Sequence, residues 1–146
     1  MSGIIVAVDG SGHSQRALEW AIKEAAIRHA PLTVLTVHEA IKSTFGGPLR
    51  FSDDPLRTEE TRKAAQAETD KVLAELAAPL PEPVTVKAIH GFPVDVLIAV
   101  SKDADLLVMG SRGAGGFARL VLGSVADQVV QHAHCPVLIV RPENRA

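Results

Sequence analysis

Five short runs of the chain are dense in β-branched residues and leucine, and they are continuously apolar where a half-exposed strand would alternate: residues 4–8, 32–38, 84–90, 106–110 and 137–140. A run of that kind suits a strand covered on both faces, as in a parallel sheet. Helical patterns separate the runs. Leu18, Ala21, Ile22 and Ala25 share one face of a predicted helix after the first run. Thr69, Val72, Leu73, Leu76 and Leu80 mark a longer helix, with Asp54-Pro55 as its N-cap and first residue. Val94, Leu97, Ile98 and Ser101 follow Pro93 on a third helix, and Val125, Val129, Val130 and Ala133 follow Ser124 on a fourth. Strand and helix in alternation predict an α/β, doubly wound domain. At 146 residues with no internal repeat, the chain reads as one domain spanning 1–146.

Composition narrows the partners. Apolar residues make up 47% and charged residues 22%, and the net charge of −2 supplies no bulk attraction to nucleic acid or anionic lipid. One Trp, four Phe and no Tyr leave little for a base-stacking surface. The single cysteine, Cys135, has no intramolecular partner, which points to a reducing compartment. The first apolar run has no basic leader and is far too short to span a bilayer, so a cytoplasmic protein is expected, without nucleic-acid or membrane partners.

One connection is long for such a domain. Residues 39–54 carry Gly46-Gly47-Pro48 and no clear periodicity, as expected of a functional lid or, equally, of a surface insertion.

The candidate chemistry lies after the fourth run. Met109-Gly110 leads into Ser111-Arg112-Gly113-Ala114-Gly115-Gly116, and Gly123-Ser124 opens the next helix: a glycine, two residues, a glycine, nine residues, then Gly-Ser. Glycines let a phosphate approach the backbone without meeting a Cβ, and successive N–H groups can form an anion-binding concavity. The amides around Gly123 to Ala126 sit at a helix N-terminus, where donors are free and the dipole favours an anion. Arg112 adds positive charge and the Ser124 hydroxyl another donor. Two other phosphate motifs fit poorly. No Gly-Lys-Ser/Thr occurs anywhere. Gly113-Ala114-Gly115-Gly116 matches the dinucleotide fingerprint loosely but follows the fourth run, whereas that fingerprint belongs to the first βα turn. The rival reading of the glycines is a tight connection without ligand. Ser124-Val125-Ala126-Asp127 also fits a capping box, which would close the helix end internally.

Asp9-Gly10-Ser11 ends the first run. If the chain reverses direction in the sheet between the first and fourth strands, both ends line one crevice, where open α/β sheets bind ligands. Asp9 is then a candidate acceptor for ribose hydroxyls or an adenine amino group, or a holder of Mg²⁺ through water; an Asx-type turn before the first helix explains it equally well.

Ile4-Ile5-Val6-Ala7-Val8-Asp9-Gly10-Ser11, the Gly110/Gly113/Gly123-Ser124 spacing and His132-Ala133-His134-Cys135-Pro136-Val137-Leu138-Ile139-Val140 together resemble the universal stress protein family over essentially the whole chain. The resemblance implies a five-stranded parallel sheet in the order 3-2-1-4-5 with helices on both faces. It implies ATP, with Mg²⁺ as a companion ion, bound by Ala7, Val8, Asp9 and Gly10, by Val37 at the end of the second strand, and by Met109, Gly110, Arg112, Gly113, Gly116, Gly123, Ser124 and Val125. It also implies a regulatory nucleotide-binding homodimer acting in the stress response and joined through the last strand. Val137-Leu138-Ile139-Val140 would form an apolar edge there, and pairing with a symmetry mate would close it.

Other classes remain open: a slow ATPase or nucleotidyl transferase, or a dimeric module that takes another adenine nucleotide such as cyclic AMP. Catalysis of phosphoryl transfer needs a placed base and metal ligands, and only Asp9, Asp127 and Arg112 offer themselves, so binding is expected ahead of turnover. His132, His134 and Cys135 lack the ligand set of a zinc site. Cys135 reads as a small buried residue and Trp20 as a packing residue. His38 ends a strand near the crevice, His90 reads as structural, and His13 neighbours the first loop.

Overall fold

The computed structural model describes residues 3–39, 55–76, 80, 83–112 and 122–141. Within them strand and helix alternate as β1 (Ile4–Val8), α1 (Gly12–Arg28), β2 (Leu32–Glu39), α2 (Pro55–Leu76), β3 (Val84–Gly91), α3 (Pro93–Ser101), β4 (Leu106–Gly110), α4 (Ser124–His132) and β5 (Val137–Val140). The strands form one parallel sheet in the order β3-β2-β1-β4-β5. Helices cover both faces, so the doubly wound α/β architecture and its strand order hold.

Alternation along each strand sorts the core into two halves. Ile4, Val6, Val8, Leu32, Val34, Val86, Leu106 and Val108 pack with α1 and α2 on one face. Leu35, Leu107 and Met109 pack with Leu97 of α3 and with Ala126 and Val129 of α4 on the other. Because both faces are buried, the central strands show no polar alternation, which is why their apolar runs were legible.

α1 starts at its N-cap Ser11, whose side chain accepts from the Ser14 N–H at 3.3 Å. It buries Ser14, Ala17, Leu18, Ala21, Ile22 and Ala25 at helical spacing, and each large side chain among them contributes about 1.5–3 kcal/mol by leaving water. It ends at His29, which takes a left-handed conformation and donates its N–H to the carbonyls of Ala25 and Ala26. Trp20 lies roughly opposite the buried stripe and is 45% exposed, so any packing it does is outside the core.

α2 begins at Pro55 and buries only Ala65, Thr69 and Val72. The Thr69 hydroxyl donates to the Ala65 carbonyl at 2.7 Å, which makes its burial tolerable. Leu80 lies past the end of this helix at Leu76, contrary to the sequence pattern, yet still packs against the core. On α4 the inward positions are Ala126 and Val129; Val130 is 46% exposed, so the apolar face is rotated from the one predicted. Ser101 ties α3 to the segment before β5: its hydroxyl donates to Ile98 and accepts from the His134 N–H at 2.9 Å. Asp54 and the body of the 39–54 connection lie outside the described residues.

Candidate functional site

β1 pairs with β2 on one side and β4 on the other, so the sheet changes direction there. The helices that follow β1 and β4 both start at the carboxyl edge of the sheet, where the switch point of an open α/β sheet leaves a crevice. Their N-termini differ in one decisive respect. α1 is closed internally: Ser14 N–H donates to Ser11 Oγ, Ser14 Oγ donates to the Ser11 carbonyl at 3.0 Å, and Asp9 N–H donates to Ser14 Oγ at 3.2 Å. α4 is capped by Gly123, and among the described residues no side chain caps its amides. Ser124 is the first residue of this helix instead of its cap, so the capping box read from Ser124 to Asp127 does not form. The first helical bond runs from the Asp127 N–H to the Gly123 carbonyl at 2.9 Å, which leaves the amides of Ser124, Val125 and Ala126 as the donors of that end.

The approach to α4 is built by β4. Ser111 N–H donates to the Val140 carbonyl at 3.0 Å, and the Ser111 carbonyl accepts from the Gly123 N–H at 2.6 Å. These bonds pin the end of β4 between β5 and the start of α4. Ser111 is only 1% exposed. Among the described residues its Oγ has no hydrogen-bond partner, and neither does the buried Nε of Arg112. Two orphaned buried groups on consecutive residues are costly, about 1–3 kcal/mol each, and more for a charged donor.

On the other side of the crevice, Asp9 forms the Asx-type turn that the sequence allowed: Oδ1 accepts from the Ser11 N–H at 2.9 Å. Gly10 sits at φ +83° with nothing within 4 Å of where a Cβ would stand, so its conformation requires glycine and its surroundings are open. Glu68 of α2, which sequence reasoning missed, belongs to the same neighbourhood. Partial burial holds its carboxyl above the usual carboxylate range, the Asp9 carboxylate adds to this, and Lys71 opposes it. Nothing in the sequence pairs these two carboxylates across so many intervening residues.

The remaining predicted contacts divide by role. Asp9 and Gly10 are exposed in the turn, and Ser124 is exposed at the helix start. Ala7 is half-buried, and Val37 lies one residue beyond the pairing of β1 with β2 that ends at Val8 and Thr36. Val8 and Met109 are core residues on opposite faces, and Val125 packs against the α3–α4 cluster. Only the backbone groups and edges of these three are left for a ligand. Gly123 is buried at the α4 cap. Gly110 meets His13 of α1, not an open cleft. Gly113 and Gly116 lie outside the described residues. Ser111 was passed over because only its burial, which no spacing reveals, distinguishes it.

The model of the universal stress protein family matches residues 1–141. The chain belongs to the universal stress protein family. A universal stress protein of Thermus aquaticus is 38% identical over 141 residues, which cover 94% of this chain and 97% of that protein. One from Mycobacterium bovis is 33% identical over 145 residues, which cover 97% of this chain but 48% of the relative. The chain thus spans about half the length of several curated relatives it matches. Among solved structures, a universal stress protein in complex with cAMP superposes with a TM-score of 0.68 at 28% identity, covering 95% of this chain and 96% of that one. Among the described residues of this universal stress protein, no helix is long and apolar enough to cross a membrane.

Proposed function

We propose that this universal stress protein domain, residues 1–146, is a regulatory nucleotide-binding module that holds ATP at the β1–β4 crevice. The observation that carries the reading is the open N-terminus of α4 beside the buried, unpartnered Ser111 Oγ and Arg112 Nε. Phosphate oxygens are the acceptors that would satisfy these donors together, at the end of a helix whose dipole favours negative charge. Gly110, Gly113, Gly116, Gly123, Ser124 and the Val125 amide would form the phosphate cradle, with Arg112 supplying charge. Adenosine would lie toward Ala7, Val8, Asp9, Gly10, Val37 and Met109. Mg²⁺ carried by the phosphates fits the carboxylate of Asp9, held through water and with Glu68 close by.

The cAMP complex of a structural neighbour supports adenine recognition and keeps a second ligand in view, cyclic AMP in place of ATP. The three uncapped amides and Arg112 favour several phosphates over one diester. Among the described residues no three His, Cys, Asp or Glu side chains gather into the metal-ligand set that phosphoryl transfer uses, so binding is proposed ahead of turnover. The module is further proposed to act in the cytoplasm as a homodimer joined through the edge strand Val137, Leu138, Ile139 and Val140.

Mass spectrometry of nucleotide extracted from the purified protein, followed by calorimetry with ATP, ADP and cyclic AMP, tests the reading. Co-purifying ATP, or ATP binding more tightly than cyclic AMP, supports it. Tighter cyclic AMP binding replaces the ligand, and no binding of any of the three overturns the site.

A further inference from the structure

We propose that His38 and His90 form a two-imidazole site for a divalent transition-metal ion of the zinc class, separate from the nucleotide crevice. The two residues stand opposite each other where β2 pairs with β3. Both rings lie on the sheet face covered by α2, since His38 Nδ1 is 3.4 Å from Thr58 Oγ1 of that helix and the two rings touch. Val37, proposed to line the nucleotide crevice, shares the opposite face with Leu35 by strand alternation.

Three observations converge. The ring centroids are 5.3 Å apart with the planes at 67°. Two imidazoles that share one tetrahedral ion through bonds of about 2.0–2.1 Å have centroids roughly 5 Å apart, so the observed separation matches a shared ion. His38 already engages Thr58 through Nδ1, the outer-shell bond that orients a ligating histidine and leaves Nε2 for the metal. His90 Nε2 is buried and has no hydrogen-bond partner among the described residues. In the tautomer that leaves a lone pair on this nitrogen, a metal ion would satisfy it.

The local charge permits a cation. One turn on from Thr58, Arg62 is forked onto Glu59 at 2.8–3.1 Å, so its charge is already matched. Among the described residues no three His, Cys, Asp or Glu side chains come together, so the pair supplies two ligands and water the rest. Imidazole nitrogens suit Zn²⁺, Cu²⁺ and Ni²⁺ and disfavour Mg²⁺ or Ca²⁺ as partners. The inference does not depend on the nucleotide reading.

The test is calorimetric titration of the full chain with ZnCl₂ in a buffer free of phosphate and nucleotide. Wild type is compared with His38→Gln, His90→Gln and a His132→Ala/His134→Ala control, since those two histidines are exposed near Cys135. At least tenfold weaker zinc binding in both single variants, with the control unchanged, is the expected result. Loss only in the control, or zinc binding indifferent to His90→Gln, overturns the site. Side-chain NMR of the wild-type protein gives the same answer without a variant: zinc must shift the His38 and His90 ring signals together. Shifts confined to other histidines, or no shift at all, reject the proposal even if a substitution prevents folding.

Discussion

A Cβ on Gly110 would lie 3.0 Å from the carbonyl oxygen of His13 and 3.2 Å from its carbonyl carbon and Cβ, so the first turn of α1 rests directly on the end of β4. This glycine brings together the two chain segments that frame the crevice, one from each side of the switch point. Its absent side chain serves helix-on-strand packing, and any ligand meets a position already constrained by α1.

Gly110→Ala should therefore destabilise the fold itself, by about 1–3 kcal/mol, because the obstructing atoms are backbone and cannot rotate away. Gly10→Ala should cost about 1 kcal/mol for a different reason, the positive φ, since its surroundings are open. Urea unfolding of the two variants measures both, and a Gly110→Ala protein as stable as wild type would refute the packing assignment.

Ser111→Ala should move stability and affinity in opposite directions. Removing a buried hydroxyl that has no partner among the described residues should leave the ligand-free protein as stable or more stable, by up to about 1 kcal/mol. The same change should weaken ATP binding. Ser124→Ala, at an exposed position, should lower ATP affinity roughly tenfold, the value of one bond to a charged group, with the melting temperature unchanged. Calorimetry and thermal melts on both variants separate these effects; unaltered ATP affinity in both would remove the phosphates from this end of α4.

The edge strand makes a sharper probe of the proposed dimer than a charge on its side chains would. Leu107 N–H donates to the Pro136 carbonyl and Ser111 N–H to the Val140 carbonyl. In a parallel ladder that pattern turns the N–H and C=O groups of Val137 and Ile139 away from β4, toward whatever pairs with the edge. Leu138 packs against the α1–α2 core and Ile139 against the α3–α4 cluster, so a charge on either side chain would disturb the fold as well. Ile139→Pro removes an outward donor, costs some stability because the side chain packs against the α3–α4 cluster, and should shift sedimentation toward monomer while the circular dichroism of the fold persists. A dimer that survives the substitution lies elsewhere.

Glu68 gives the protein a pH dependence with a definite sign. Its folded carboxyl titrates above the usual carboxylate range, so the folded state holds its proton longer than the unfolded chain does. Stability contributed by this group is therefore greatest below the ordinary carboxylate value and falls as pH rises through the raised one. Glu68→Gln should raise the melting temperature at pH 7 and leave it nearly unchanged at pH 4. The shift should be modest because the side chain remains largely solvated.

The sequence by itself determined the strands, their order of appearance and the layer architecture. Apolar runs without alternation, such as Leu106 to Gly110, demand two-sided burial, whereas the edge strand β3 alternates and leaves Thr85 and Lys87 exposed. The sequence also marked the glycine spacing proposed to hold a ligand, because such a loop would leave a local signature in residue type. Tertiary structure decided what no local signature carries. Ser124 and Asp127 spell a capping box that does not form, since the Ser111 carbonyl holds the Gly123 amide and sets the cap one residue earlier. Burial of the Ser111 hydroxyl, the approach of His13 to Gly110, the neighbourhood of Asp9 and Glu68, and the meeting of His38 with His90 all join residues from different elements. Such contacts depend on strand register and helix docking, which are properties of the assembled core and not of any stretch of chain.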